Sequence, residues 1–133
     1  AGGPTILDEC REIVARQGRC ATGEAVITSG GNLPAKLVIH TVGPVWHGGS
    51  SKEEQLLANA YLNSMKLALK NEVETIAFPN ISTGVYGFPK EKAAEIAIQT
   101  VSGFLASDEH ISLVYFVCFD EENYALYRRI LNG

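Results

Sequence analysis

Apolar residues recur at helical spacing in four stretches of the chain, and short apolar runs of strand type lie between them. Residues 4–17 place Ile6, Leu7, Cys10, Ile13 and Val14 on one helix face, with Pro4 in the first turn and Gly18 at the end. Residues 24–29 alternate enough for a strand, and Gly30, Gly31 and Asn32 turn the chain. Residues 36–42 are apolar toward both faces, which predicts a strand in the middle of a sheet, stopped by Gly43 and Pro44. Ser51 and Glu54 form a capping box for a helix reaching about Lys70, buried along Leu57, Ala60, Tyr61, Ser64, Met65 and Ala68. A strand at 75–78 feeds a loop at 79–89, and the next helix buries Ala93, Ala97, Val101, Phe104 and Leu105. Residues 112–119 read as the strongest strand, and Asp120 caps a last helix with Tyr124, Tyr127 and Leu131 facing inward.

From residue 36 onward strand and helix alternate three times. That order predicts an α/β domain with a largely parallel sheet, right-handed crossovers and helices on its faces. Ligands of such sheets sit beyond the carboxyl ends of the strands. Residues 41–46, 80–87 and 119–122 fall there. The middle stretch carries two glycines, Gly84 and Gly87, and two hydroxyls, Ser82 and Thr83. Such a strand–loop–helix can aim several backbone N–H groups at one phosphate, and glycine lets that backbone come close. No Lys follows the glycines at nucleoside-triphosphate spacing, so the loop is not of that kind. The plainer alternative is a connection that happens to contain glycines.

Composition narrows the choice. Hydrophobic residues at 46% and charged residues at 20% describe a globular chain of one domain. Fifteen acidic against eleven basic residues give a net charge of −4, without the basic stripe that nucleic acid requires. A phosphate ligand would therefore be held by backbone N–H groups and helix N-termini. Cys10, Cys20 and Cys118 form no C-x-x-C pair, and no signal-peptide pattern or long apolar span is present, which reads as a reduced, cytoplasmic chain away from membranes.

Single residues carry less. His40, mid-strand among apolar neighbours, reads as a structural histidine, and His47 and His110 have no partner at metal-ligand spacing. Cys118 reads as core. Phe119 is either core or an aromatic wall for a base, and Asp120 either a helix cap or a partner for a ribose hydroxyl. Tyr86, an aromatic between two glycines, suits a position that covers something. Spacing alone yields no catalytic mechanism.

At residues 81–89, Ile-Ser-Thr-Gly-Val-Tyr-Gly-Phe-Pro, the sequence resembles the macrodomain family. Residues 22–25 (Thr-Gly-Glu-Ala), 33–36 (Leu-Pro-Ala-Lys), 40–46 (His-Thr-Val-Gly-Pro-Val-Trp) and 117–123 (Val-Cys-Phe-Asp-Glu-Glu-Asn) agree with it. They point to the MacroD-type branch that includes the bacterial O-acetyl-ADP-ribose deacetylases. The resemblance implies a three-layer α/β/α domain, with a mixed sheet and helices on both faces, that binds ADP-ribose. It implies hydrolysis of O-acetyl-ADP-ribose, or removal of mono-ADP-ribose from acidic side chains of modified proteins, by a water that protein and substrate phosphate orient. No metal or other cofactor is implied, nor any nucleic-acid or membrane partner. Ser82, Thr83, Gly84, Val85, Tyr86 and Gly87 would surround the diphosphate and distal ribose. Tyr86 would stand beside the reacting ribose in a supporting catalytic role, Phe119 near the adenosine, and Asp120 at the rim.

The family pattern also has a leading segment that is not in this sequence: a strand ending in Gly-Asp-Ile, an Asn-Ala-Ala-Asn run and a glycine-rich loop that bring its catalytic Asn and Asp. Ala1-Gly2-Gly3-Pro4 resembles the residues that follow that loop. Residues 1–133 are thus expected to be one macrodomain-like unit without the leading strands, poorly stable and inactive as a hydrolase by itself. Three functions compete: the hydrolase, a non-catalytic ADP-ribose reader, and an unrelated α/β nucleotide binder.

Overall fold

The computed structural model describes residues 2–50, 52–84, 86–108 and 110–132. The elements run α1 (Pro4–Gln17), β1 (Ala25–Ser29), β2 (Leu37–Thr41), α2 (Glu53–Lys70), β3 (Thr75–Pro79), α3 (Lys90–Ser107), β4 (Leu113–Val117) and α4 (Glu121–Asn132). Every helix and strand expected from periodicity is present. β1 and β2 pair antiparallel, with Ala25 opposite Thr41 and Ser29 opposite Leu37. β3 and β4 pair parallel, from Thr75 beside Leu113 to Pro79 beside Val117. The strands are thus mixed in direction, and only the β3–β4 crossover is parallel.

β2 is not a central strand. Among the described residues its ladder partner is β1 alone, and that of β3 is β4 alone. Its two-sided apolar run has another origin. Ile39 packs against the core, while His40 turns to the other face, where its Nε2 lies 2.9 Å from Thr28 Oγ1.

The core lies between α2, α3, α4 and one face of the β3–β4 ladder. All six residues of the expected α2 stripe are buried. Tyr61 packs its ring on Phe78 at 5.1 Å, and Phe116 packs on Tyr127 at 5.1 Å. α3 buries Ala93, Ala97 and Val101 as expected, and adds Ala94 and Ile98. α4 differs: Tyr124 and Leu131 are exposed, while Asn123 and Tyr127 are buried and Leu126 and Ile130 pack beside them. Its buried stripe is 123–126–127–130, rotated from the one expected, because that is the side facing α3 and β4. On α1 only Ile13 is buried, and Leu7 and Val14 remain exposed. On β4 Leu113, Tyr115 and Val117 are likewise exposed, so no described helix covers that face.

Ser51, and with it the expected capping box, lies outside the described residues. Lys52 occupies the N-cap of α2 with no side-chain cap bond, and Glu54 pairs across to Lys92 at 3.8 Å. No described helix is long and apolar enough to cross a membrane.

Candidate functional site

The segments leaving β2 and β3 meet at their carboxyl ends. A Cβ on Gly43 would collide with Ser82 Oγ and Ile81 Cγ2, so the two chains cross where only glycine fits. Three residues on, the Trp46 N–H donates to the Tyr86 carbonyl at 2.9 Å. The Trp46 ring rests on Phe88 at 4.8 Å, and Phe88 is buried. The β2–α2 segment is anchored in turn by the buried Glu53 carboxylate, which accepts the His47 N–H at 2.9 Å. An open cleft of about 250 Å³ lined by Thr22, Pro44, Val45 and His47 runs alongside.

The loop after β3 folds back on itself. The Ser82 carbonyl accepts the Phe88 N–H at 2.9 Å and that of Gly84 accepts the Gly87 N–H at 3.0 Å. Ser82 sits at φ 67°, the left-handed region, at a cost of about 1–2 kcal/mol for a residue with a Cβ. Strain of that kind persists only where the surroundings fix it. Among the described residues, no protein group accepts the N–H of Ser82, Thr83 or Gly84. A Cβ on Gly84 would meet nothing within 4 Å. Ser82 Oγ and Asn80 Oδ1 are buried without a partner among the described residues. Free N–H groups, an orphaned hydroxyl and open space above a glycine are what an anion-binding loop presents.

The third stretch joins through α3. Lys90, the first residue of α3, reaches Asp120 at 3.4 Å and Glu122 at 3.2 Å. Asp120 caps α4, accepting the Asn123 N–H at 2.7 Å and its Nδ2 at 3.1 Å. Those bonds, the backbone one first and the Lys90 charge after them, hold its carboxyl below the usual range. Phe119 is 81% exposed, which removes the core alternative and leaves an aromatic surface. Tyr86 is 39% exposed on the crest of the loop.

Ser82, Thr83, Gly84, Tyr86 and Gly87 are therefore brought into one loop, and Asp120 is tied to its exit by Lys90. Phe119 stands apart from these contacts, and Val85 lies outside the described residues. Cys118 is half-buried against the core, within 3.7 Å of Asn80 Nδ2. No group of three or more described His, Cys, Asp or Glu residues is placed to hold a metal ion. Reasoning from sequence missed Gly43 and Glu53, whose roles depend on which loops cross. The strain at Ser82 has no sequence signal.

A family model described as Macro domain matches residues 1–97. The O-acetyl-ADP-ribose deacetylase of Klebsiella pneumoniae is 58% identical over 131 residues, covering 98% of this chain and 75% of that protein. The solved Oceanobacillus iheyensis macrodomain with ADP superposes with a TM-score of 0.91 at 42% identity, covering 99% of this chain and 70% of that one. The Trypanosoma brucei macrodomain in complex with ADP-ribose gives a TM-score of 0.86 at 37% identity, over 98% of this chain and 53% of that one.

Proposed function

Because the chain belongs to the Macro domain family, we propose that it binds ADP-ribose, with the diphosphate on the loop from Ser82 to Gly87. The observation that carries this reading is that no described residue accepts the N–H groups of Ser82, Thr83 and Gly84, which stand beside the open face of Gly84. In a chain of net charge −4 a phosphate is better held by backbone dipoles than by a basic patch. Tyr86 then lines the distal ribose, Phe119 offers its exposed ring to the adenosine, and Asp120 lies at the rim. Residues 1–133 act as one macrodomain-like unit, and its setting is the reducing cytoplasm, where Cys10, Cys20 and Cys118 stay free.

In a parent protein that also supplies the family's catalytic Asn and Asp, the chemistry that fits this site is hydrolysis of O-acetyl-ADP-ribose, or removal of mono-ADP-ribose from acidic side chains. A water held between the loop and the substrate phosphate attacks the acetyl carbonyl carbon, and the ribose oxygen leaves with a proton from that water to give acetate and ADP-ribose. In the second reaction it attacks the anomeric carbon, and the side-chain carboxylate leaves as free ADP-ribose forms. Protein groups confine and orient that water, which is where much of the rate gain of such a reaction arises. No metal or cofactor enters this scheme. A non-catalytic reader is the second reading, and one observation favours it. Asp120, the carboxylate at the site's edge, is committed to capping α4 and to Lys90, so it is a poor general base.

Calorimetric titration with ADP-ribose tests the binding proposal, and absence of binding would end it. Turnover of O-acetyl-ADP-ribose separates hydrolase from reader. If the chain is a hydrolase, Tyr86→Ala lowers turnover more than it lowers ADP-ribose affinity. Equal turnover in variant and parent would make Tyr86 a packing residue.

A further inference from the structure

The phosphate loop is held from outside by a strap, residues 43–47, and the far end of that strap is held by a buried carboxylate. The strap touches the loop three times. Gly43 lies against Ile81 and Ser82 at the loop's entry. The Trp46 N–H donates to the Tyr86 carbonyl at 2.9 Å on the crest, and the Trp46 ring rests on Phe88 at the exit. The first residues of the strap are well fixed. The Val42 carbonyl just ahead of them accepts the Gly23 N–H at 2.8 Å, and Gly43 and Pro44 are buried. The last residues are packed less closely: Val45 and His47 are exposed and line the open cleft. Gly48 and Gly49 follow at φ 81° and 88°, in a turn where the Ser50 hydroxyl donates to the His47 carbonyl at 3.2 Å. Two glycines give that turn little stiffness of its own.

The first turn of α2 carries two carboxylates with different surroundings. Glu54 reaches across to Lys92, whereas Glu53 is 1% exposed. A buried carboxylate is costly unless hydrogen bonds satisfy it, and a helix N-terminus favours its charge. Glu53 Oε1 accepts the His47 N–H at 2.9 Å. The neighbouring amide in the chain is the Trp46 N–H that holds Tyr86. A rigid helix thus reaches the crest of the loop through two consecutive backbone amides. We propose that Glu53 is a positioning residue for the phosphate loop: it fixes the end of the strap, and the strap fixes the Tyr86 carbonyl and with it the crest that meets the distal ribose. The ligand arm of this inference rests on the ADP-ribose reading; the strap arm does not.

The test compares the full chain with Glu53→Met, which keeps the length of the side chain but no acceptor oxygen, and with Glu53→Gln, which keeps one oxygen for the His47 N–H. ADP-ribose affinity is measured by calorimetry well below the melting temperature. Hydrogen exchange is followed at the Trp46 amide and, for comparison, at the amides of β4. Glu53→Met is expected to bind about five- to tenfold more weakly, because binding must then order the crest of the loop. Its Trp46 amide is expected to be accelerated more than those of β4, the mark of a local opening. Glu53→Gln is expected to stay within about threefold of the parent's affinity, since the bond to His47 survives. Parental affinity in Glu53→Met, or a Trp46 amide that changes only as β4 does, would reduce Glu53 to core stability and overturn the proposal. Equal losses in the two variants would show that the His47 bond is not the link, and would overturn it too. Should Glu53→Met fail to fold, Glu53→Asp keeps the charge and draws it one methylene back from His47, with the same result expected and the same result fatal. A parent that binds no ADP-ribose, with a Trp46 amide still accelerated in the variant, would overturn the functional reading and leave the positioning intact.

Discussion

Two glycines near the loop play opposite parts, and the difference lies in what a methyl group would meet. At Gly84 there is open space within 4 Å, on the side where a diphosphate would lie. Gly84→Val is therefore expected to leave the melting temperature close to the parent's while weakening ADP-ribose binding by at least about tenfold, roughly 1.4 kcal/mol. Calorimetry on a folded variant with unchanged affinity would show that the ligand does not lie against Gly84. At Gly43 the methyl would enter Ser82 Oγ and Ile81 Cγ2, and backbone and side chain must shift. Gly43→Ala should cost about 1–3 kcal/mol of stability, read from the urea midpoint, as overpacking commonly does. The sequence shows both residues as glycines in turns. Only the packing of two loops distant in the chain distinguishes one from the other, and no local pattern encodes it. The sequence singles out Tyr86 as a loop aromatic and leaves Phe119 as core or wall; only the packing shows that both are exposed. Ser82 was legible as a hydroxyl but not as a left-handed residue.

Among the elements, α2 was read correctly at every buried position but Glu53, because its apolar stripe faces a complete core. α1 and α4 were read less well, since an amphipathic pattern gives the width of an apolar face but not which neighbour meets it. α1 is fastened instead by a polar pin. Glu9 accepts both the Ser29 N–H and the Ser29 hydroxyl at 2.6 Å. On β2, His40 is held by Thr28 at 2.9 Å. Burial depresses the His40 pKa below its ordinary 6.5, and the nearby Glu9 charge opposes that only in part. The unfolded chain then binds the proton more readily, so His40 costs stability as pH falls through about 6.5 toward its lower folded value. Glu9 is depressed below its ordinary 4.5, by the Ser29 hydroxyl first and the Ser29 N–H next. Its contribution is present above that value and is lost as pH falls further. The melting temperature should accordingly drop in two stages on acidification, the first near pH 6.5 and the second below 4.5. His40→Gln should remove the first stage and keep the second. A single stage in the parent, confined to low pH, would show that His40 titrates alike in both states.

At the scale of the whole molecule, the strand pairs share no ladder among the described residues, so what joins them is helix packing together with the crossing of the segments that leave β2 and β3. α2 is the joint. Its Asn63 donates to the Gly23 carbonyl ahead of β1 at 2.7 Å, and its Tyr61 rests on Phe78 of β3. The helix also packs on β1, β2 and α3. The α/β class and the order of elements were legible, because alternating periodicities record each segment's own burial. Which strands pair was not legible, because residues that pack under a helix and residues in a central strand look equally apolar. This arrangement has a consequence for unfolding. Trp46, the single tryptophan, lies on Phe88 where the segments after β2 and β3 meet, so its fluorescence reports that junction. Far-UV circular dichroism reports mainly the four helices. If α2 couples the two strand pairs, the two signals follow one denaturation curve in the parent. Leu57, fully buried on α2, is the residue on which to test the joint. Leu57→Ala should cost about 2–5 kcal/mol and move both curves together. Were the pairs independent, truncation at Leu57 would split the transitions, with fluorescence changing at lower denaturant than the helical signal.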